Sequence, residues 1–188
     1  TGAGLSGIGV KVVLTSSLIA GLVLGMASAP AAPATAQQNL TGMVLAQVCL
    51  PYANRSKSFE RATRTAPELA FRRPAEERAT PGDEFASEVE LVSADGTWRV
   101  RLEEGTVEIG ETEVYAVTCS LSSTRASARE LADLGRRAFR NERYWTTDQT
   151  APNQWDRRTR NPDEYRLEVR VVEEGGVRPA LAIRGLYF

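Results

Sequence analysis

Three apolar rhythms follow one another along this chain. The first is an unbroken run. Val12 to Ala27 carries Leu14, Leu18, Ile19, Leu22, Val23, Leu24 and Met26 with no charge inside it. Small residues interrupted by Pro30 and Pro33 lead from there to Ala36. A helical rhythm then spans Gln37 to Asn54, where Leu40, Met43, Val44, Val48 and Leu50 recur at helical spacing. Asn39 or Thr41 can cap this helix, and Pro51 is expected to kink or end it because proline has no N–H to donate. Ser58 opens a second short helix, Phe59 to Ala66, which Pro67 ends. Residues 67–84 mix Pro67, Pro74, Pro81 and Gly82 with charges and read as a surface connection, with room for a short strand at Leu69-Ala70-Phe71.

From Phe85 the period becomes two. Val89 and Leu91 alternate with Glu88 and Glu90. Asp95-Gly96 is a hairpin signal, because glycine accepts the positive φ that tight turns need. The return strand puts Trp98, Val100 and Leu102 on one face and Arg99, Arg101 and Glu103 on the other. After a turn at Glu104-Gly105 or at Gly110, Glu113 to Ser122 repeats the alternation with Tyr115, Val117, Cys119 and Leu121. Ser127 and Glu130 have the spacing of a capping box and open a helix that runs to about Asn141. Residues 143–163 are polar and aromatic and read as a long loop, with a short strand near Trp155 as the alternative. A final hairpin pairs Tyr165, Leu167, Val169 and Val171 with Val177, Leu181, Ile183 and Tyr187 around Gly175-Gly176.

The predicted fold class is therefore α+β. It is an antiparallel sheet of about five strands with helices packed on one face, in the order α-α-β-β-β-α-β-β. The opposite face should carry Arg99, Arg101, Arg166, Arg170 and Arg184 with Glu88, Glu90 and Glu168.

The segment from Lys11 to Ala36 has the build of a secretory leader. A basic residue precedes an apolar stretch, and Ala34-Thr35-Ala36 offers a small-x-small cleavage site. The reading divides the chain into residues 1–36, removed on export, and a single domain of residues 37–188. The competing reading is a retained anchor, which would be the chain's one tie to a membrane. A span needs about 20 apolar residues, and this run is shorter. The expected location is periplasmic or secreted.

Export changes the meaning of Cys49 and Cys119, the only two cysteines. In an oxidising compartment they predict one disulfide, closing a loop of about 70 residues and worth roughly 4 kcal/mol in the chain-entropy model. Two buried thiols, or a cysteine linked to a partner, are the alternatives.

Composition mainly excludes. Histidine is absent, so Ser-His-Asp and Cys-His catalysis and His-ligated metals are not available. No metal site, catalytic residue or cofactor is predicted. With a formal net charge of −1, the chain has no net attraction for nucleic acid. Adjacent acids such as Glu103-Glu104 and Glu173-Glu174 sit at turns, whereas glycosidase carboxylates face each other across a cleft at roughly 5–10 Å. The best recognition candidates are Trp145, Trp155, Arg157, Arg158 and Arg160, because indole and guanidinium groups are enriched at binding hot spots. Both indoles have a second reading, as lids on the core.

With its leader, Val48-Cys49-Leu50-Pro51, the distant Cys119 and the closing Arg184-Gly185-Leu186-Tyr187-Phe188, the chain resembles uncharacterised small exported proteins of alphaproteobacterial type. The resemblance implies no activity and no site residues. The functional expectation is a non-enzymatic domain that binds an envelope protein or an anionic envelope component. The alternative is a carboxylate-based hydrolase acting in the envelope.

Overall fold

A computed structural model describes residues 34–74, 88–141, 143–148, 151–174 and 178–188. The apolar run Val12 to Ala27 lies outside the described residues, as does the turn expected at Gly175-Gly176. The expected cleavage site, Ala34-Thr35-Ala36, falls inside, because the first helix, α1, spans Ala34–Val44. A π-helical turn, Leu45–Cys49, continues α1 into α2, Leu50–Ala53. Next come α3, Phe59–Glu68, and four strands: β1, Phe71–Arg72, β2, Glu88–Ser93, β3, Trp98–Ile109, and β4, Thr112–Ser123. Helix α4, Ala128–Ala138, separates these from β5, Trp145–Asp148, β6, Ala151–Arg157, β7, Tyr165–Glu174, and β8, Arg178–Tyr187.

All eight strands join one antiparallel sheet in the order β1-β2-β3-β4-β8-β7-β6-β5. This corrects the expected five strands and the expected order. Beyond the five are β1, β5 and β6, of which the sequence left room for β1 at Leu69-Ala70-Phe71 and for β6 near Trp155. Two of these carry too little alternation to read from sequence: Trp145-Thr146-Thr147-Asp148 and Ala151-Pro152-Asn153-Gln154-Trp155 each hold one large apolar side chain. Backbone pairing at the edge of an existing sheet makes them strands, with the indoles as inward anchors. The fold is two successive four-stranded meanders, each preceded by helix, joined where β4 meets β8. The sequence shows no repeat that would announce this symmetry.

The core lies between the helices and one face of the sheet. A single register row, Val89–Leu102–Cys119–Ile183–Val169–Trp155, crosses six strands of that face and is buried throughout. Cys119 stands mid-row and is bonded to Cys49, with Cα atoms 5.1 Å apart.

The π turn explains how one helix side stays on the sheet. Thr41, Leu45, Cys49 and Ala53 are buried, and so are Val44, Val48 and Tyr52, each series stepping by four. An α-helix would drift by about 40° at each such step, and a wider turn restores the phase. Pro51 does not end the helix as expected. It leaves the Gln47 carbonyl without its α-helical donor, and Lys57 Nζ donates to that oxygen at 2.7 Å.

The second helical layer is α4. Both arms of its capping box form, with Glu130 N donating to Ser127 Oγ at 3.3 Å and Ser127 N donating to Glu130 at 2.8 Å. Gly135 has a packing role there, since a Cβ at that position would stand 2.7 Å from the Trp155 ring.

Candidate functional site

Helices cover one face of the sheet, and the other face carries the charge. Its middle is floored by small residues. In one register row Glu90, Arg101, Ser120, Ala182, Arg170 and Gln154 lie side by side on β2, β3, β4, β8, β7 and β6. The small floor lies on the central strands, and arginines stand on the strands either side. Ala116, Ser120, Ala180 and Ala182 are nearly buried although, among the described residues, the helices pack on the opposite face. The arginine stems account for this. The Nε atoms of Arg99, Arg170 and Arg184 are buried without a hydrogen-bond partner, while the side chains as a whole stay partly exposed, the pattern of a buried stem with a solvated end.

Carboxylates meet those ends. Arg99 pairs with Glu90, and Arg101 with Glu88 at 2.9 Å. Arg170 and Arg184 converge on Glu168 at 3.5 and 3.8 Å. The two halves of the face each form a groove. The smaller, 270 Å³, lies over Glu90, Arg99, Arg101 and Ser120. The larger, 560 Å³, is bounded by Asp156, Arg157, Arg166, Glu168, Arg170 and Arg184. Glu108 and Ile109, from the tip of β3, also line the larger groove. They start four strand steps from β6, roughly 19 Å across a flat sheet, so the face curls around the groove. Val107, Val114, Ala116 and Leu186 form a small apolar cluster at that end.

The candidates from sequence divide between the two faces. Trp145 and Trp155 are 8% and 3% exposed, and both pack on Phe139 with ring centres 4.7 and 6.2 Å away. They belong to the core and form no exposed aromatic surface. Arg157 lines the larger groove. Arg158 and Arg160 are exposed in the loop beyond β6, where Arg158 N donates to the Tyr144 carbonyl at 2.9 Å. Sequence reading placed Arg166, Arg170 and Arg184 on the outer face. It missed their enclosure of a groove, because that depends on β6, where a short strand near Trp155 was only the alternative to a loop.

Among the described residues, three carboxylates are held below their ordinary range, and all three lie away from the grooves. Asp95, in the β2–β3 turn, accepts from Ser93 Oγ at 2.5 Å and from Thr97 N at 3.1 Å, and these bonds hold its pKa down. Glu130 is lowered by its capping bonds and Asp133 by Arg136. Among the described residues, no group of three or more acidic or cysteine side chains could hold a metal ion. Among them also, no helix is long and apolar enough to cross a membrane.

A second constellation lies at one end of the helix-side face. Tyr115, Tyr187 and Tyr165 are in register on β4, β8 and β7. The Tyr187 hydroxyl donates to the Ala53 carbonyl at 2.8 Å, and the Tyr115 hydroxyl donates to Glu104 at 2.6 Å. Arg55, with a left-handed φ of 57°, reaches over this row. No family model matches the chain, and neither does any curated protein or solved structure.

Proposed function

We propose that this is an exported, non-enzymatic binding domain that holds an anionic partner on the outer face of its sheet. The partner is an envelope component or the acidic segment of another exported protein. The observation that carries this reading is the larger groove. Four arginines line it against Glu108, Asp156 and Glu168. Glu168 is already engaged by Arg170 and Arg184. Asp156 accepts the Gln154 side-chain amide at 3.2 and 3.3 Å. The surplus is cationic, and arginine's planar fork suits carboxylate and phosphate oxygens. The Cys49–Cys119 bridge is compatible with maturation outside the cytosol, in keeping with the leader-like Lys11 to Ala36 segment.

The test is a titration of the purified protein with polyglutamate and, separately, with phosphatidylglycerol vesicles. Binding of one of them should weaken at least tenfold in an Arg170→Glu/Arg184→Glu double variant, and it should weaken with salt. Binding that survives the double variant at full strength sinks the reading.

One observation favours a hydrolase as the second reading. Asp156 and Glu168 are direct register partners on β6 and β7, two acids from different strands inside one groove. That reading requires turnover of a glycoside or ester substrate that Asp156→Asn and Glu168→Gln each abolish. Turnover unchanged in both variants rules it out.

A further inference from the structure

The larger groove is short of acceptors for its own arginines. Arg170 and Arg184 share one carboxylate, Glu168, at 3.5 and 3.8 Å, and their Nε atoms are buried without a partner. On the rim stand Arg157 and Arg166, with Arg158 and Arg160 in the exposed loop that links them. None of these four pairs with a described carboxylate. Arg166 Nε donates to the Pro162 carbonyl at 3.0 Å, and its guanidinium lies over the Phe188 ring. Against the four, the loop holds only Asp163 and Glu164, and Glu164 already accepts from the Asn161 side chain at 3.1 Å.

The same chain carries an element of the opposite charge. β2 leaves β3 at Glu103, and β8 leaves β4 at Tyr115. Among the described residues, the β3–β4 hairpin therefore runs on as a two-stranded arm paired only with itself. Such a hairpin is marginal in water without further support. Residues 103–113 include Glu103, Glu104, Glu108, Glu111 and Glu113 and no basic residue. The first two are engaged at the base of the arm, by Arg101 and by the Tyr115 hydroxyl. Glu108, Glu111 and Glu113 are exposed at its tip, and no described cation pairs with them. Glu108 and Glu113 are direct register partners, a position where like charges weaken a ladder. Ile109 stands among them, 38% exposed.

We propose that the larger groove receives the arm of a second copy of this chain. In a two-fold dimer, Glu108, Glu111 and Glu113 of each copy meet Arg157, Arg158 and Arg166 of the other. The inference rests on the outer-face reading and names the acidic segment as the chain's own. Arm and rim are neighbours on the surface, because Glu108 and Ile109 line the groove together with Arg157 and Arg166. Within one copy they border it without pairing, which leaves both sets of charges for a partner. A patch that carries both signs side by side is self-complementary. One two-fold rotation makes both pairings and closes the assembly. With a formal net charge of −1, two copies repel each other only weakly.

Analytical ultracentrifugation of the purified protein tests this. A concentration-dependent dimer is expected at about 50 mM salt, weakened at least tenfold at about 500 mM because exposed charge pairs are screened. An arm variant, Glu108→Arg/Glu111→Arg/Glu113→Arg, and a rim variant, Arg157→Glu/Arg158→Glu/Arg166→Glu, should each weaken self-association at least tenfold. Mixed in equal amounts they should recover the dimer, since each offers the sign the other lacks, and that recovery also shows that both are folded. If a reversal unfolds the chain, Glu108→Gln/Glu111→Gln/Glu113→Gln carries the test with the same direction expected. A monomer at every concentration, association indifferent to these changes, folded variants that do not recover when mixed, or growth beyond a dimer overturns the proposal. A monomer that still binds polyglutamate through Arg170 and Arg184 overturns the dimer alone. Polyglutamate binding that survives Arg170→Glu/Arg184→Glu removes the outer-face reading and this inference with it.

Discussion

Single atoms at the junction between α2 and β8 show what fixes the helical layer to the sheet. The Ala53 carbonyl lies over Gly185 and accepts the Tyr187 hydroxyl. A Cβ at position 185 would stand 2.0 Å from that oxygen, and the obstacle is backbone rather than a mobile side chain. Gly185→Ala should therefore destabilise the fold by about 3 kcal/mol or more, read as a lower urea midpoint. Two tyrosines give a contrast. Tyr187→Phe removes a made hydrogen bond and should cost about 1 kcal/mol, whereas Tyr52→Phe removes a buried hydroxyl without a partner and should be neutral or stabilising. Equal losses in both variants would mean that the Tyr52 hydroxyl is satisfied in solution. The sequence announces none of this. Gly185 and Tyr187 stand in a strand whose alternation is legible, but the approach of a helix carbonyl to one strand glycine is a tertiary fact.

At the scale of elements, periodicity located the strands that bury several side chains and missed those that bury one. β2, β3, β4, β7 and β8 alternate over six or more residues and follow from the pattern. β5 and β6 do not, because each carries a single large inward side chain, Trp145 or Trp155. Reading residues 143–163 chiefly as a loop, with a strand near Trp155 only as the alternative, kept Trp145 and Trp155 as recognition candidates and hid the wall that makes the larger groove. Turn chemistry was more legible. Asp95-Gly96 forms the β2–β3 turn with Gly96 at φ 70°, and Gly110, at φ 65°, forms the next. The first of these turns has an acid dependence. Hydrogen bonds hold the Asp95 pKa below its ordinary value of 3.8, so the native turn favours the ionised form. The stabilisation is complete above that value and is lost as pH falls through the lower native one. Asp95→Asn should flatten this part of the acid-unfolding curve, and an NMR titration of Asp95 should give a midpoint below 3.8. A midpoint at or above it would contradict the turn's assigned hydrogen bonds. At the end of α3, Ala70 has a φ of 63°, so Ala70→Gly should be neutral or stabilising there, unlike glycine inside a helix, which costs about 1 kcal/mol. A drop of that size in the urea midpoint would count against the left-handed assignment.

Across the described residues, one covalent bond and one charged sheet face set the organisation. The disulfide joins the first helical layer to the middle strand of the sheet across a sequence separation of 70 residues. Its removal in a Cys49→Ser/Cys119→Ser double variant should lower stability by about 4 kcal/mol, seen in denaturant melts. The pairing of these cysteines was legible because there were only two. The paired meanders were not, since neither half repeats the other's residues. The symmetric sheet leaves small residues along its central strands and long charged ones beside them, which gives the outer face a floor and walls. Methyl NMR of alanine-labelled protein tests that face most directly. Adding the anionic partner should shift Ala116, Ala180 and Ala182, which floor the trough, and leave Ala62 and Ala66, the buried alanines of α3, unmoved. Shifts at Ala62 and Ala66 with a silent trough would contradict the assignment of the outer face as the binding surface.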